Sequence, residues 1–259
     1  MLAHEGTYQG ISVSPEVSEK IKELSRKQRC TLFMTLLAAF NVVLQHFSGR
    51  EDIVVGTDLA NRNRPEIEGL IGFFVNSLAL RTDLTGNPKF NEIMHRVREV
   101  CLGAFSHQEL PFEKLVEELN PDRGAGQNPL FQVLFGFINE NSNLALDLPG
   151  LSLKPMVFDN KTSIFEFSLY MADTPSGLGG TAQYNTQLYD RETITGFVKC
   201  FELLLGRIAA NPDLTLAEMN AILEQSRAQD QVQKAKELSE QRRDAFKKVK
   251  RQKAEVVHA

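Results

Sequence analysis

A chain of 259 residues, 42% of them apolar, can form one large domain or two small ones and has ample material for a core. It contains no run of about 18 apolar residues, and its start, MLAHEGTYQG, has neither the basic nor the apolar region of a secretory signal, so it reads as cytoplasmic, with no membrane span. The net charge of −4 hides a split: residues 226–259 carry ten Lys or Arg against five Asp or Glu, a net of +5, which leaves the rest at −9. An acidic body with a basic tail is unlike a nucleic-acid-binding domain, whose positive charge gathers on a folded face.

Residues 1–14 read as an irregular or extended lead-in. Ser14-Pro15-Glu16-Val17 then opens a helix, with Ser as N-cap, Pro in the first turn and an acid near the positive end of the dipole, running to about Arg26. Thr31 opens a second helix. Its apolar residues recur every three or four positions from Phe33 to Phe47, which predicts one broad buried face, and Ser48-Gly49 ends it. His46, near that end, suits a surface or capping role. From Glu51 to Arg81 two apolar runs, Ile53 to Val55 and Leu70 to Leu80, flank a polar segment holding Arg62, Arg64 and Pro65, which predicts strand, loop, strand. Gly72 lets the backbone bend before Phe73-Phe74, and Asn76 puts an amide in an apolar run, where it needs hydrogen-bond partners. Asn87-Pro88 is predicted to cap a helix with Phe90, Ile93, Met94, Val97, Val100, Cys101 and Ala104 on one face and His95 solvated on the other. Leu110-Pro111 breaks the chain, and Phe112, Leu115, Val116 and Leu119 mark a short amphipathic helix ended by Asn120-Pro121, with a polar loop to Pro129.

The next region is β. Phe131 to Ile138 is apolar on both alternations, Leu151 to Phe158 reads as another strand, and the alternating segments around Phe165 to Met171 and Leu178 to Leu188 form a hairpin across Asp173 to Gly177. Asp190 caps a helix with Ile194, Phe197, Phe201, Leu204, Leu205 and Ile208 on its stripe. Helices on a mixed sheet predict an α+β layer architecture. Cys30, Cys101 and Cys200 lie far apart inside apolar helical patterns, as buried, reduced thiols do. Residues 226–254 lack Gly and Pro and carry a thin apolar stripe, so a long helix is expected there: a solvated terminal helix, or a docking helix for a partner polypeptide. The expected division is a globular part over 1–225 and a charged helical tail over 226–259.

Three ordered motifs carry a resemblance. GTDLANR, from Gly56 to Arg62, resembles GTPxAGR; IGFFVNSLALR, from Ile71 to Arg81, resembles IGxFVNTLxLR; and HQELPFEKLV, from His107 to Val116, resembles HQDxPFEKLV. All three belong to the condensation domains of nonribosomal peptide synthetases, and the resemblance covers about Ser14 to Leu223. It implies a chloramphenicol-acetyltransferase-like lobe, one of two that enclose a tunnel where an amide forms between aminoacyl or acyl thioesters on carrier proteins. The family's HHxxxDG signature belongs to the first lobe. The histidines here stand at 4, 46, 95, 107 and 258, no two adjacent, so the chain looks like the second lobe alone and no catalytic residue is nominated.

The resemblance further implies carrier proteins as partners, their phosphopantetheine arms as the only cofactor chemistry, an N-terminal lobe from elsewhere, and no metal. The other reading is a noncatalytic carrier-protein or synthase docking module, or a degraded remnant. Tunnel or inter-lobe positions carried over are Gly56, Arg62, Phe74, Asn76, His107, Gln108 and Phe112. Arg62 is expected as a structural or inter-lobe charge partner or a solvated loop arginine, Asn76 as a hydrogen-bond node, His107 and Gln108 as orienting groups, and Phe112 as a core plug. Asp58 and Asn61 depart from the motif's Pro and Gly. No phosphate-binding glycine loop, GxSxG elbow, metal-spaced Cys/His set or carrier-domain serine is found. The charged helix at the end, with no adenylation domain begun after Leu223, looks like the C-terminus of a polypeptide.

Overall fold

The computed structural model describes residues 4–62, 64–121, 128–138 and 159–233. A strand, β1 (His4–Ser12), leads into α1 (Pro15–Lys27) and α2 (Leu32–Ser48). The helix starts follow the sequence: the Ser14 hydroxyl accepts from the Val17 N–H at 3.4 Å, and the Thr31 hydroxyl from the Met34 N–H at 3.2 Å. Gly49, at φ +69°, closes α2 in the left-handed conformation. Then come β2 (Asp52–Leu59), the one-turn helix α3 (Pro65–Glu68), β3 (Asn76–Asp83), α4 (Phe90–Ser106) and α5 (Phe112–Leu119). The order continues with β4 (Val133–Ile138), β5 (Thr162–Ser163), the hairpin β6 (Phe167–Thr174) and β7 (Gly177–Asn185), and α6 (Arg191–Ala210), capped by the Asp190 carboxylate on the Thr193 N–H at 2.6 Å.

The seven strands among the described residues form one mixed sheet in the order β3-β2-β4-β6-β7-β1-β5. Pairings β2/β4 and β4/β6 are parallel and the others antiparallel. α1, α2, α4 and α6 cover one face. At its centre the fully buried Phe40 of α2 sits 5.5 Å from Phe135, 6.0 Å from Phe167 and 5.7 Å from Phe197, ring centre to ring centre, so strand and helix aromatics interlock. Strict alternation along β2 decides which side chains reach this core: Ile53, Val55 and Thr57 are buried toward the helices, while Val54, Gly56 and Asp58 belong to the other face. The three thiols are buried and none is in a disulfide. No single described helix is long and apolar enough to cross a membrane.

The lead-in, expected as irregular or extended, is extended and pairs as a strand, because β7 offers it a full antiparallel ladder from Gly6 to Ser12. The structure departs from the sequence expectations in two places. Only the end of the apolar block from Leu70 to Leu80 is strand: 70–75 is a loop, and Ile71 and Phe73 are 104% and 89% exposed. The N-cap of α4 is Lys89, two residues after Asn87, which takes a left-handed conformation (φ +51°) and accepts from the Ala217 N–H at 2.7 Å. The predicted strand over 151–158, most of the loop after Pro121 and the tail beyond 233 lie outside the described residues. The chain divides into two compact units at Met219/Asn220, and residues 220–233 of the second are helical.

Candidate functional site

The motif residues gather where β2 and β3 meet the corner between α4 and α5. Asn76, the first residue of β3, uses its whole side-chain amide: Nδ2 donates to the carbonyls of Gln108 and Leu110, both at 2.8 Å, and Oδ1 accepts from the Phe112 N–H at 3.0 Å. One side chain therefore fixes the turn that precedes α5 to the edge of the sheet. Gln108 enters this network through its backbone. His107 is the C-cap of α4 and exposed; its Nδ1 lies 2.9 Å from both the Ser106 hydroxyl and the Gly103 carbonyl, so it closes the helix end.

Arg62 bonds to the backbone of the loop it introduces. Its Nη1 donates to the carbonyls of Ile67 at 2.6 Å, Glu68 at 3.3 Å and Leu70 at 2.8 Å, and Nη2 to Gly72 at 3.3 Å. The guanidinium stacks on the Phe74 ring, 4.4 Å from its centre. The geometry is that of a staple holding 64–75 in one shape, with Leu70, Ile71, Phe73 and Val75 facing outward. Asn61, standing where the motif has Gly, holds φ at +51°, a conformation that Asn tolerates better than most residues.

Gly56 is needed for close approach. A Cβ there would run into the Phe131 ring, which lies on the β2 backbone. Phe131, Leu134 and Phe165 form a small cluster on the sheet face away from the helices, with Phe112 half-buried against it, its ring 5.5 Å from Phe131.

Beside this cluster runs a polar row that joins Asp58 and Ser77, from the first two motifs, to a tyrosine outside all three. Ser77 pairs with Asp58 across β3 and β2, its hydroxyl donating to Asp58 Oδ1 at 2.6 Å. Two residues back on β2, Gly56 pairs with Leu134, so Gly136 stands level with Asp58 on β4, and Tyr170 pairs with Gly136 from β6. The Tyr170 ring lies over Gly136, where a Cβ would strike it. Its phenol is pushed above the usual tyrosine range, first by burial and then by the charge of Asp58, while a hydrogen bond with Ser168 works the other way. The sequence showed Asp58 only as a departure from the motif and Tyr170 only as the polar member of an alternating strand. Strand alternation was readable; the cross-strand register that puts them in one row was not.

A family model described as Condensation domain matches residues 4–230. Malpinin synthetase of Mortierella alpina is 42% identical over 217 residues, 84% of this chain and 3% of that protein, so the chain spans a small fraction of that relative. Among solved structures, the X-domain from teicoplanin biosynthesis superposes with a TM-score of 0.75 at 22% identity, over 82% of this chain and 49% of that one. The condensation domain from the Monacolin K polyketide synthase MokA gives 0.71 at 24%, over 82% of this chain and 48% of the other. At those identities the likeness is one of fold.

Proposed function

This chain belongs to the condensation-domain family, and from that premise we propose that it supplies the second wall of an amide-forming tunnel in a nonribosomal peptide synthetase. In the reaction an amine on one carrier-bound acceptor attacks the thioester carbonyl of a carrier-bound donor. A C–N bond forms, the C–S bond breaks, and the proton lost by nitrogen ends on the departing thiol of the phosphopantetheine arm. That arm belongs to the substrates. Holding the two reactants in line is worth several kcal/mol of barrier, and a base must take the proton.

One observation carries the reading: this chain aligns over 82% of itself with about half of a solved condensation domain. A companion lobe would bring the histidine pair, and this lobe would position. Gly56, Arg62, Phe74, Asn76, His107, Gln108 and Phe112 are assigned to the rim that meets the other lobe and the tunnel, with residues up to 225 as the lobe and 226–259 as a docking tail. The cytoplasm is the expected place of work.

The purified chain alone should form no amide. Mixed with an HHxxxDG-bearing lobe and two loaded carrier proteins it should form one, read by mass spectrometry of the acceptor arm. Condensation by the chain alone, or failure of every lobe offered, would sink the proposal. The second reading is a noncatalytic module that binds carrier or synthase domains. Carrier binding that persists while no lobe restores turnover would select it.

A further inference from the structure

We propose that Asp58 and Tyr170, with Ser77 holding the carboxylate, form a docking point for the primary ammonium group of the acceptor, on the sheet face opposite α1, α2, α4 and α6. The assignment of that ammonium to an aminoacyl thioester rests on the proposed function; the site itself rests on the row of side chains.

Two features of the row fit such a group. Ser77 occupies only Oδ1 of Asp58, so the other oxygen faces outward with no hydrogen-bond donor among the described residues, and no described Lys or Arg forms an ion pair with the exposed carboxylate. A fixed anion without a cation partner attracts a cation. Gly136 has no side chain, which leaves the Tyr170 ring space to lie over β4, the strand that separates it from Asp58, level with it on β2. A primary ammonium brings one positive charge and three donors, enough for the carboxylate and phenol oxygens with one to spare. A divalent metal would want several anionic or imidazole ligands, and among the described residues no group of three His, Cys, Asp or Glu is placed to hold one.

The test uses the full chain with its tyrosines labelled by ¹³C at the hydroxyl-bearing carbon, the Tyr170 signal being assigned as the one lost in Tyr170→Phe. Two probes are titrated: glycyl-pantetheine, which carries the ammonium, and glycolyl-pantetheine, which has a hydroxyl in its place. Glycyl-pantetheine should shift the Tyr170 signal, and its affinity should fall about tenfold or more in Asp58→Asn, the scale of one charge-assisted hydrogen bond. Asp58→Asn is isosteric and keeps an oxygen for Ser77, so the fold is spared. Glycolyl-pantetheine should bind more weakly than the glycyl probe and ignore the substitution.

Equal behaviour of the two probes, an unchanged affinity in Asp58→Asn, or a Tyr170 signal that moves with neither probe overturns the site. The two proposals fail separately. If the lobe-complemented wild-type chain forms no amide yet the probes discriminate, the function falls and the ammonium site stands. If complemented Asp58→Asn forms amide with an unchanged KM for the aminoacyl acceptor, the site falls and the function stands.

Discussion

At the scale of single residues, the site contains side chains whose removal has costs set by what they leave behind. Asn76 answers three backbone groups, the carbonyls of Gln108 and Leu110 and the N–H of Phe112, and so ties the α4/α5 turn to the sheet through one amide. Asn76→Ala leaves two carbonyls and one N–H to whatever water can reach them, so a loss of about 2–3 kcal/mol is expected in urea unfolding, below the sum of three fully buried defects because the node is only half-buried. Asn76→Asp keeps the acceptor for Phe112 but turns the donors into a second oxygen facing two carbonyls, and should cost at least as much as the alanine. Tyr170 gives a pH signature. Its folded-state pKa is raised, so its contribution to stability is complete below the unfolded value of about 10 and is lost as pH rises from there toward the folded value. Unfolding midpoints measured from pH 8 upward should fall in the wild type over that alkaline window and fall less in Tyr170→Phe. Parallel declines in the two proteins would show that the phenol titrates without hindrance. The Cys101 thiol, pushed up to about 12 mainly by burial, should not react with a disulfide reagent at about pH 8 until the protein unfolds.

At the scale of elements, the Arg62 staple separates local order from global stability. Its four bonds run to carbonyls of a loop that contributes no fully buried apolar side chain, so Arg62→Ala should leave the urea midpoint within about 1 kcal/mol of wild type while speeding amide exchange and proteolysis over 65–75 by about tenfold or more. Arg62→Lys should behave like the alanine, since one ammonium cannot reach both Ile67 and Gly72 and stack flat on Phe74. If the lysine protects the loop as arginine does, the staple is not what shapes it. The same loop shows why some of this fold could be read from sequence and some could not. α1, α2 and α6 announced themselves through Ser14, Thr31 and Asp190, because a cap and a 3.6-residue stripe are local signals. The β6/β7 hairpin was equally local. Leu70 to Val75 carries the same apolar letters as a strand yet stands outside the core, since composition records what a residue would bury and not whether this chain provides the surface. Arg62 was recognisable as a motif residue, with a charge partner in another lobe as one of its expected roles. The structure gives it four backbone oxygens and a ring, a structural role that depends on a loop conformation no pattern specifies. Asp58 and Tyr170 needed the parallel register of β2, β4 and β6, which joins strands far apart in the chain.

At the scale of the whole molecule, the stapled loop presents apolar side chains to solvent: Ile71 is fully exposed, Phe73 nearly so, and Leu70 and Val75 about half. A rigid apolar projection is costly to keep in water and inexpensive to dock, because Arg62 has already removed most of the loop's conformational freedom. If it meets the companion lobe, burying Ile71 and Phe73 there should contribute about 3–6 kcal/mol, taking about 1.5–3 for each side chain. The double substitution Ile71→Ser with Phe73→Ser should therefore weaken binding of an HHxxxDG-bearing lobe by about a hundredfold or more, as read by calorimetry. It should leave the urea midpoint of the chain itself unchanged, since neither side chain is part of its core. The isolated wild-type chain should also self-associate in sedimentation at concentrations where the double variant stays monomeric, because an uncovered apolar arm finds other copies when its own partner is absent. The two readouts test different things. Loss of lobe binding with unchanged self-association would place the sticky surface elsewhere on the chain, whereas loss of self-association with intact lobe binding would remove this arm from the contact between lobes.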